Sequence, residues 1–315
     1  MRFHLEKQRN AVGVIVAIAV AGCSAASSAS PQLVSAGTEA FARAQDKVAK
    51  NVYVTYENSG NSTIFEYPAQ NRNDSPPLCT FSLAQTVRGI TADTSGNAYV
   101  SELEPGRTIG QVLVFAPNCG RQIGVVRDSS GGPVDAVALS GDQIFMPDDQ
   151  GVSVCTLRGC TARLTDRAIL RTLSVAVDRL GNVWAAAYGF HHSVVLVVWK
   201  QAHMPGHKVV GYVHDSPGYI MFDNSNNLVD VQDLSNEMYR FKCQLVYFQC
   251  IQLFRVTLHG GSIAGALDGI NSDIQVTDFE RGSVDVYTYP NLTYEYSYDN
   301  GLGAGPSWDA IAQVP

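Results

Sequence analysis

One phrase recurs along this chain, and it constrains the fold more than any other feature. An apolar strand is followed by a short polar turn ending in Gly-Asn or a relative, then by a second apolar strand. It reads Gly89-Ile90-Thr91-Ala92-Asp93-Thr94-Ser95-Gly96-Asn97-Ala98-Tyr99-Val100 at its clearest. It returns as Asp135–Leu139 before Gly141-Asp142, and as Ser174–Asp178 before Gly181-Asn182-Val183-Trp184. Weaker copies are Tyr219–Asp223 before Asn226-Asn227 and Ser262–Ala266 before Ile270-Asn271. Gly, Asn and Asp tolerate the positive φ that tight hairpins demand, so the turn residues have a mechanical reason. Each copy alone is a weak signal, and five in register are a strong one.

The series begins at Asn51, in Asn51-Val52-Tyr53-Val54, where the preceding strand is missing. Asn51 to Asn271 spans 220 residues in five steps, a mean of 44. That period fits four short strands per unit, the size of a propeller blade. Further strands fill the units, such as Val112–Phe115 then Gln122–Val126, and Val194–Trp199 then Lys208–Val213. The 265 residues from Asn51 to Pro315 hold six units of 44. Trp308-Asp309-Ala310-Ile311-Ala312 reads as the inner strand lost before Asn51, so the expected fold is all-β, a six-bladed propeller closed by its C-terminal strand. Such closure removes the free sheet edges a β protein must otherwise protect. A two-sheet sandwich holds a similar number of hairpins but has no reason to repeat at 44. Composition agrees: 28 Gly, 13 Pro, 14 Tyr and 12 Phe describe turn-rich β structure.

The N-terminus reads as an address. Arg2, Lys7 and Arg9 precede the uncharged apolar run Ala11–Ala21. Eleven helical residues reach about 16 Å, short of the roughly 30 Å hydrocarbon core, so a secretory signal fits better than a permanent span. Val20-Ala21-Gly22-Cys23 resembles the bacterial lipobox, with Val where Leu is usual. That resemblance implies cleavage before Cys23 and diacylglyceryl transfer to its sulfur, giving a signal peptide over 1–22. An ordinary secretion signal with an incidental cysteine is the alternative. Acyl chains contribute about 0.8 kcal/mol per buried methylene and would anchor the mature protein at the cell envelope. Residues 23–50 are rich in Ala and Ser and read as a tether, with a short helix around Thr38–Lys50. The remaining residues, 51–315, form the repeat domain. Net charge is −7, becoming −9 without residues 1–22, and no basic run occurs, which excludes a nucleic-acid surface. A monomer is expected.

The strand-Asp-x-x-Gly-Asn-strand phrase at this spacing resembles NHL-type, or senescence-marker/gluconolactonase-like, six-bladed β-propellers. Behind a lipobox it is similar to bacterial propeller lipoproteins of unassigned role. The resemblance covers roughly residues 51–315, and its motif specifies a hairpin rather than a chemistry. Lactonases of that family hold a divalent cation with an inner Glu, Asn and Asp set. Aligned inner strands here give one column of Arg88, Val134, Leu173, Gly218, Gly261 and Trp308. A second column holds Gly89, Asp135, Ser174, Tyr219, Ser262 and Asp309. Two carboxylates make a poor cage for a hard cation, which normally takes six or more oxygens, so the lactonase set does not carry over. Asp93, Asp178 and Asp223 belong to the hairpin turns, where accepting backbone N–H bonds accounts for them.

Seven cysteines are present, and six remain once Cys23 takes the lipid. Cys155 and Cys160 flank a turn and face each other across a hairpin, as do Cys243 and Cys250, so both pairs are expected to be disulfides. Cys79 and Cys119 fall in equivalent outer regions of the first two units, where a bridge between blades is open to them. No Cys-x-x-Cys pair and no Cys–His pair at zinc spacing occurs.

Five of seven histidines lie between 191 and 214: His191, His192, His203, His207 and His214. Successive hairpin loops leave opposite faces of a propeller, which separates His191 and His192 from His203 and His207. Only His191, His192 and His214 are left as metal candidates, against a plain reading as exposed loop residues. No nucleophile elbow, phosphate loop or His-Glu-x-x-His occurs. Two functions remain. The favoured one is a non-catalytic, envelope-anchored binding scaffold without cofactor, for a protein, glycan or small ligand. The alternative is a channel-sited hydrolase or lyase of the lactonase-like type, using Arg88, Asp135, Tyr219 and Asp309.

Overall fold

The computed structural model describes residues 50–302 and 311–314, less residues 59, 104–108, 129–131, 133, 150, 213, 215, 233–234, 269 and 271. The expected signal peptide, Cys23, the tether before Lys50, Trp308 and Asp309 lie outside the described residues. Regular structure is almost entirely strand, arranged as four sheets of four strands and one of seven. Neighbouring strands in every sheet are antiparallel.

The simplest sheets are meanders that follow chain order. The second contains Val87–Ala92, Ala98–Leu103, Gly110–Phe115 and Gln122–Arg127. The third contains Ala138–Ser140, Gln143–Asp148, Gly151–Thr156 and Gly159–Thr165. The fourth contains Ile169–Val177, Val183–Gly189, Val194–Trp199 and the two-residue His207–Lys208. That last strand is shorter than the expected Lys208–Val213. Val210 leaves the sheet and bridges Gln249 in parallel, its N–H donating to the Phe248 carbonyl at 2.8 Å.

The seven-stranded sheet is two such meanders, the fifth and the last, fused through one strand, Gln249–Leu267. Its first part completes Gly218–Phe222, Leu228–Gln232 and Ser235–Gln244. Its second part opens Asp273–Asp278, Ser283–Thr288 and Tyr294–Tyr298. These four-stranded meanders are propeller-like blades.

The first sheet joins distant parts of the chain. Its order is Ile311–Val314, Asn51–Asn58, Asn61–Pro68, Cys79–Leu83. Asn51 pairs with Val314 and Val54 with Ile311. The described strand therefore reaches two residues beyond the expected end at Ala312. The side-chain alternation of a strand explains the choice of register. Ile311 packs with Val52, Val54, Ala264 and Val284, whereas Ala312 faces Tyr53, Ile64 and Val87 on the other side.

Both faces of a sheet are apolar because each is covered by a neighbour. Val183, Ala185 and Ala187 face Phe145, Val152 and Val154 of the third sheet. Trp184 and Ala186, pointing the other way, pack with Ile220, Phe222 and Phe241 of the fifth unit. A strand covered on two sides reads as a continuous apolar run, which is what Val183–Ala187 shows.

The repeated turn works as its residues suggest. Asp93 Oδ1 accepts the N–H groups of Ser95 and Asn97, each at 2.9 Å. Asp178 does the same for Leu180 and Asn182, and Asp223 for Ser225 and Asn227. The residue needing positive φ is Gly96 (85°), Gly181 (77°) or Asn226 (60°). Three disulfides are present: Cys155–Cys160, Cys243–Cys250 and Cys79–Cys119. The first two cross-link facing residues within hairpins. The third ties the outer strand of the first sheet to a turn of the second. Such a set fits an oxidising, exported environment.

Candidate functional site

Topology sorts the polar residues onto two rims. In an antiparallel meander, the start of the first strand and the second-to-third loop share one edge. The first-to-second turns, with Asp93, Asp178 and Asp223, share the other. Arg88, Asp135, Arg171 and Tyr219 all lie at or just before the start of a first strand. They occupy consecutive units along one rim.

The first strands approach closely there. A Cβ on Gly89 would stand 2.7 Å from Ala136 Cα and 2.9 Å from the Asp135 carbonyl oxygen, so no side chain fits. Ser101 Oγ donates to that same Asp135 carbonyl at 2.7 Å. Ala136 bridges Ser174 in parallel, and Ser174 Oγ accepts the Ile220 N–H at 3.0 Å. The predicted column Gly89, Asp135, Ser174 and Tyr219 is thus brought together. Ser262 turns toward the fifth unit and donates to the Ser235 and Gln232 carbonyls at 2.6 and 3.0 Å. Asp309 lies outside the described residues.

Asp135 is buried and paired with Arg171, whose Nη2 lies 2.8 Å from Oδ2. Burial raises the Asp135 pKa, while Arg171 and Arg88 pull it back down. Burial also works against the charge of Arg171, yet Asp135 and Asp149 hold its pKa above the ordinary value. Tyr219 completes the group by donating its hydroxyl to the Arg88 carbonyl at 3.2 Å. Sequence reasoning missed Arg171 and Asp149. Arg171 stands two residues before Leu173 on the same strand, but a register shift between Ile169 and Arg171 re-aims it. The contacts among these residues are internal: the carboxylate meets a guanidinium and the phenol meets a carbonyl.

The histidines occupy contrasting places. His191 is exposed in the loop after Val183–Gly189, with φ of 58°. The His214 side chain is fully buried, its ring 4.4 Å from Tyr212 and 4.2 Å from Tyr239. Its Nε2 lies 3.3 Å from Asp230 Oδ2, which also accepts the Tyr212 hydroxyl at 3.0 Å. Burial pushes the Asp230 pKa up to about 7. His207 stacks on Phe248 at 4.0 Å. Among the described residues, the group of three ligand-type side chains close enough to hold one ion is Glu66, Cys79 and Cys119, with both sulfurs in a disulfide.

The architecture is that of a β-propeller, and solved structures agree. A chain of a nidogen/laminin complex superposes with a TM-score of 0.60 at 13% identity, covering 82% of this chain and 98% of that one. A 6-phosphogluconolactonase-like protein from Bacteroides uniformis gives a TM-score of 0.54 at 13% identity, over 81% of this chain and 84% of its own. A functionally unknown protein from Desulfotomaculum acetoxidans gives 0.55 at 10% identity, over 84% and 89%. At such identities the likeness is one of fold. No family profile and no curated protein matches the sequence.

Proposed function

We propose that this chain is an exported binding scaffold: a six-bladed, NHL-like ring, lipid-anchored through Cys23 at the cell envelope. The rim bearing Arg88, Asp135, Arg171 and Tyr219 is its ligand-facing side, and the ligand is a protein, glycan or small molecule. Support for a closed ring comes from the apolar clusters between successive sheets. One unites Val52 and Val54 of the first sheet with Val284 and Val286 of the last.

The observation that carries the scaffold reading is how the acids are used. Asp93, Asp178 and Asp223 hold turns. Asp135 is neutralised by Arg171, and Asp148 by Arg163. Groups engaged in this way hold a surface in shape and are poorly placed to exchange protons with a substrate. The test is made on the purified, oxidised mature protein, by metal analysis followed by thermal shift with divalent cations and lactones. The expected result is no stoichiometric cation and no lactone turnover. A bound Ca²⁺ or Zn²⁺ with lactone hydrolysis, lost in Asp135→Asn, would establish the channel enzyme instead. For the anchor, Cys23→Ser should release the protein from membranes or leave its signal uncleaved.

A further inference from the structure

We propose that the Cys79–Cys119 staple is a redox-gated zinc site, completed by Glu66 when the disulfide is reduced. Glu66 lies directly opposite Cys79 on the neighbouring strand and is 1% exposed. Its Oε1 accepts a hydrogen bond of 2.6 Å from Asn51 Nδ2, which fixes the carboxylate's direction. Its Oε2 then sits 3.2 Å from Cys79 Sγ. A disulfide sulfur carries no hydrogen, so in the oxidised staple this approach is a bare contact and not a hydrogen bond. The ligand atoms of Glu66, Cys79 and Cys119 all lie within 4.8 Å of one another.

Two thiolates and one carboxylate, with a fourth position left to water, make a tetrahedral set suited to zinc. Bonds of about 2.3 Å to sulfur and about 2.1 Å to oxygen place tetrahedral ligand atoms roughly 3.5–3.8 Å apart. The sulfurs, bonded to each other in the disulfide, must therefore separate on reduction, while Glu66 Oε2, 3.2 Å from Cys79 Sγ, needs only a small shift. The held carboxylate has the outer partner that metal ligands usually have, here Asn51. Both cysteines are partly exposed, so a reductant can reach them.

The chemistry balances in two steps. A thiol reductant delivers two electrons: the S–S bond breaks, two thiols form, and the reductant leaves as its own disulfide. Zn²⁺ then displaces the two thiol protons to solvent and forms two Zn–S bonds and one Zn–O bond. Disulfide and metal exclude each other, yet either one ties the first sheet to the second. The staple therefore holds in both redox states.

The test uses the mature protein, reduced with dithiothreitol, freed of reductant without air, and titrated with Zn²⁺ against a chromophoric chelator. Wild type should bind one zinc per chain more than the Cys79→Ser/Cys119→Ser double variant, whose other cysteines serve as the control. Cd²⁺ in place of Zn²⁺ should give a thiolate charge-transfer band that the double variant lacks. Glu66→Gln, which keeps both cysteines, should bind that zinc about tenfold or more weakly. Equal zinc in wild type and double variant, or an affinity unchanged in Glu66→Gln, would overturn the assignment.

Discussion

The hydroxyl of Tyr219 donates to the main-chain carbonyl of Arg88, 3.2 Å away and 131 residues earlier in the chain. The two residues stand at the starts of first strands in non-neighbouring units. Tyr219→Phe removes this bond while keeping the ring, at a cost of about 1 kcal/mol. For a chain of this size the melting temperature should fall by about 2–4 °C. An unchanged melt would mean that the phenol is not held in this position.

The buried Asp230 makes stability depend on pH in a definite direction. Its folded pKa is raised to about 7 by burial, so the unfolded chain gives up that proton at lower pH. The contribution is therefore fully present below the ordinary carboxylate value and is lost as pH rises toward 7. Asp230→Asn cannot ionise. It should match wild type near pH 4, gain progressively on it as pH rises, and level off at a gap on the order of 4 kcal/mol just above pH 7. Chemical denaturation of both proteins across this range measures the difference.

The Asp turns differ in burial, and their variants should differ accordingly. Asp178 is 1% exposed and accepts from Leu180 N, Asn182 N, Asn182 Nδ2 and the indole of Trp184. Asp178→Ala strands several buried donors and should cost about 3–5 kcal/mol. Asp93→Ala, in a more exposed turn, should cost about 1–2 kcal/mol. Equal losses in urea denaturation would contradict this ranking.

Removing Ile311–Pro315 should destabilise far more than the loss of an ordinary tail. It deletes the strand paired with Asn51–Val54 and the buried side chains Ile311 and Ala312, each 5% exposed. Ladder bonds of about 1 kcal/mol each, plus about 2–3 kcal/mol for Ile311, are large beside a typical total of 5–15 kcal/mol. The expected outcome is aggregation or a melting point more than about 10 °C lower. A monomer melting within a few degrees of the full-length protein would refute it.

Features set by short-range chemistry were legible before the structure. The Asp-x-x-Gly-Asn turns, the 44-residue spacing and the hairpin disulfides each depend on a few adjacent residues. What escaped the sequence depends on placement through space. Arg171 reaches Asp135 from a strand whose pairing shifts register between Ile169 and Arg171, which the sequence does not mark. His214 reads as a loop residue until Tyr212, two residues before it, and Tyr239 and Phe241, from the strand Ser235–Gln244, close around it. The repeat marks the boundary at Ser262, but the sequence does not show that one continuous strand, Gln249–Leu267, pairs on both sides and fuses the two units into one sheet. The strand near the C-terminus was found, but its register follows from packing on both faces rather than from its own residues.

The pairing of Asn51 with Val314 also sets an order of events. Synthesis delivers the chain from its N-terminus, so Asn51–Val54 emerges long before its partner strand exists. For that interval the first sheet has an open edge, the kind of surface that invites pairing with other chains. Cys79 and Cys119 emerge early enough to lock this sheet to the second while it waits. A chain that stops short of Ile311–Val314 leaves the sheet that began at Asn51 without its fourth strand.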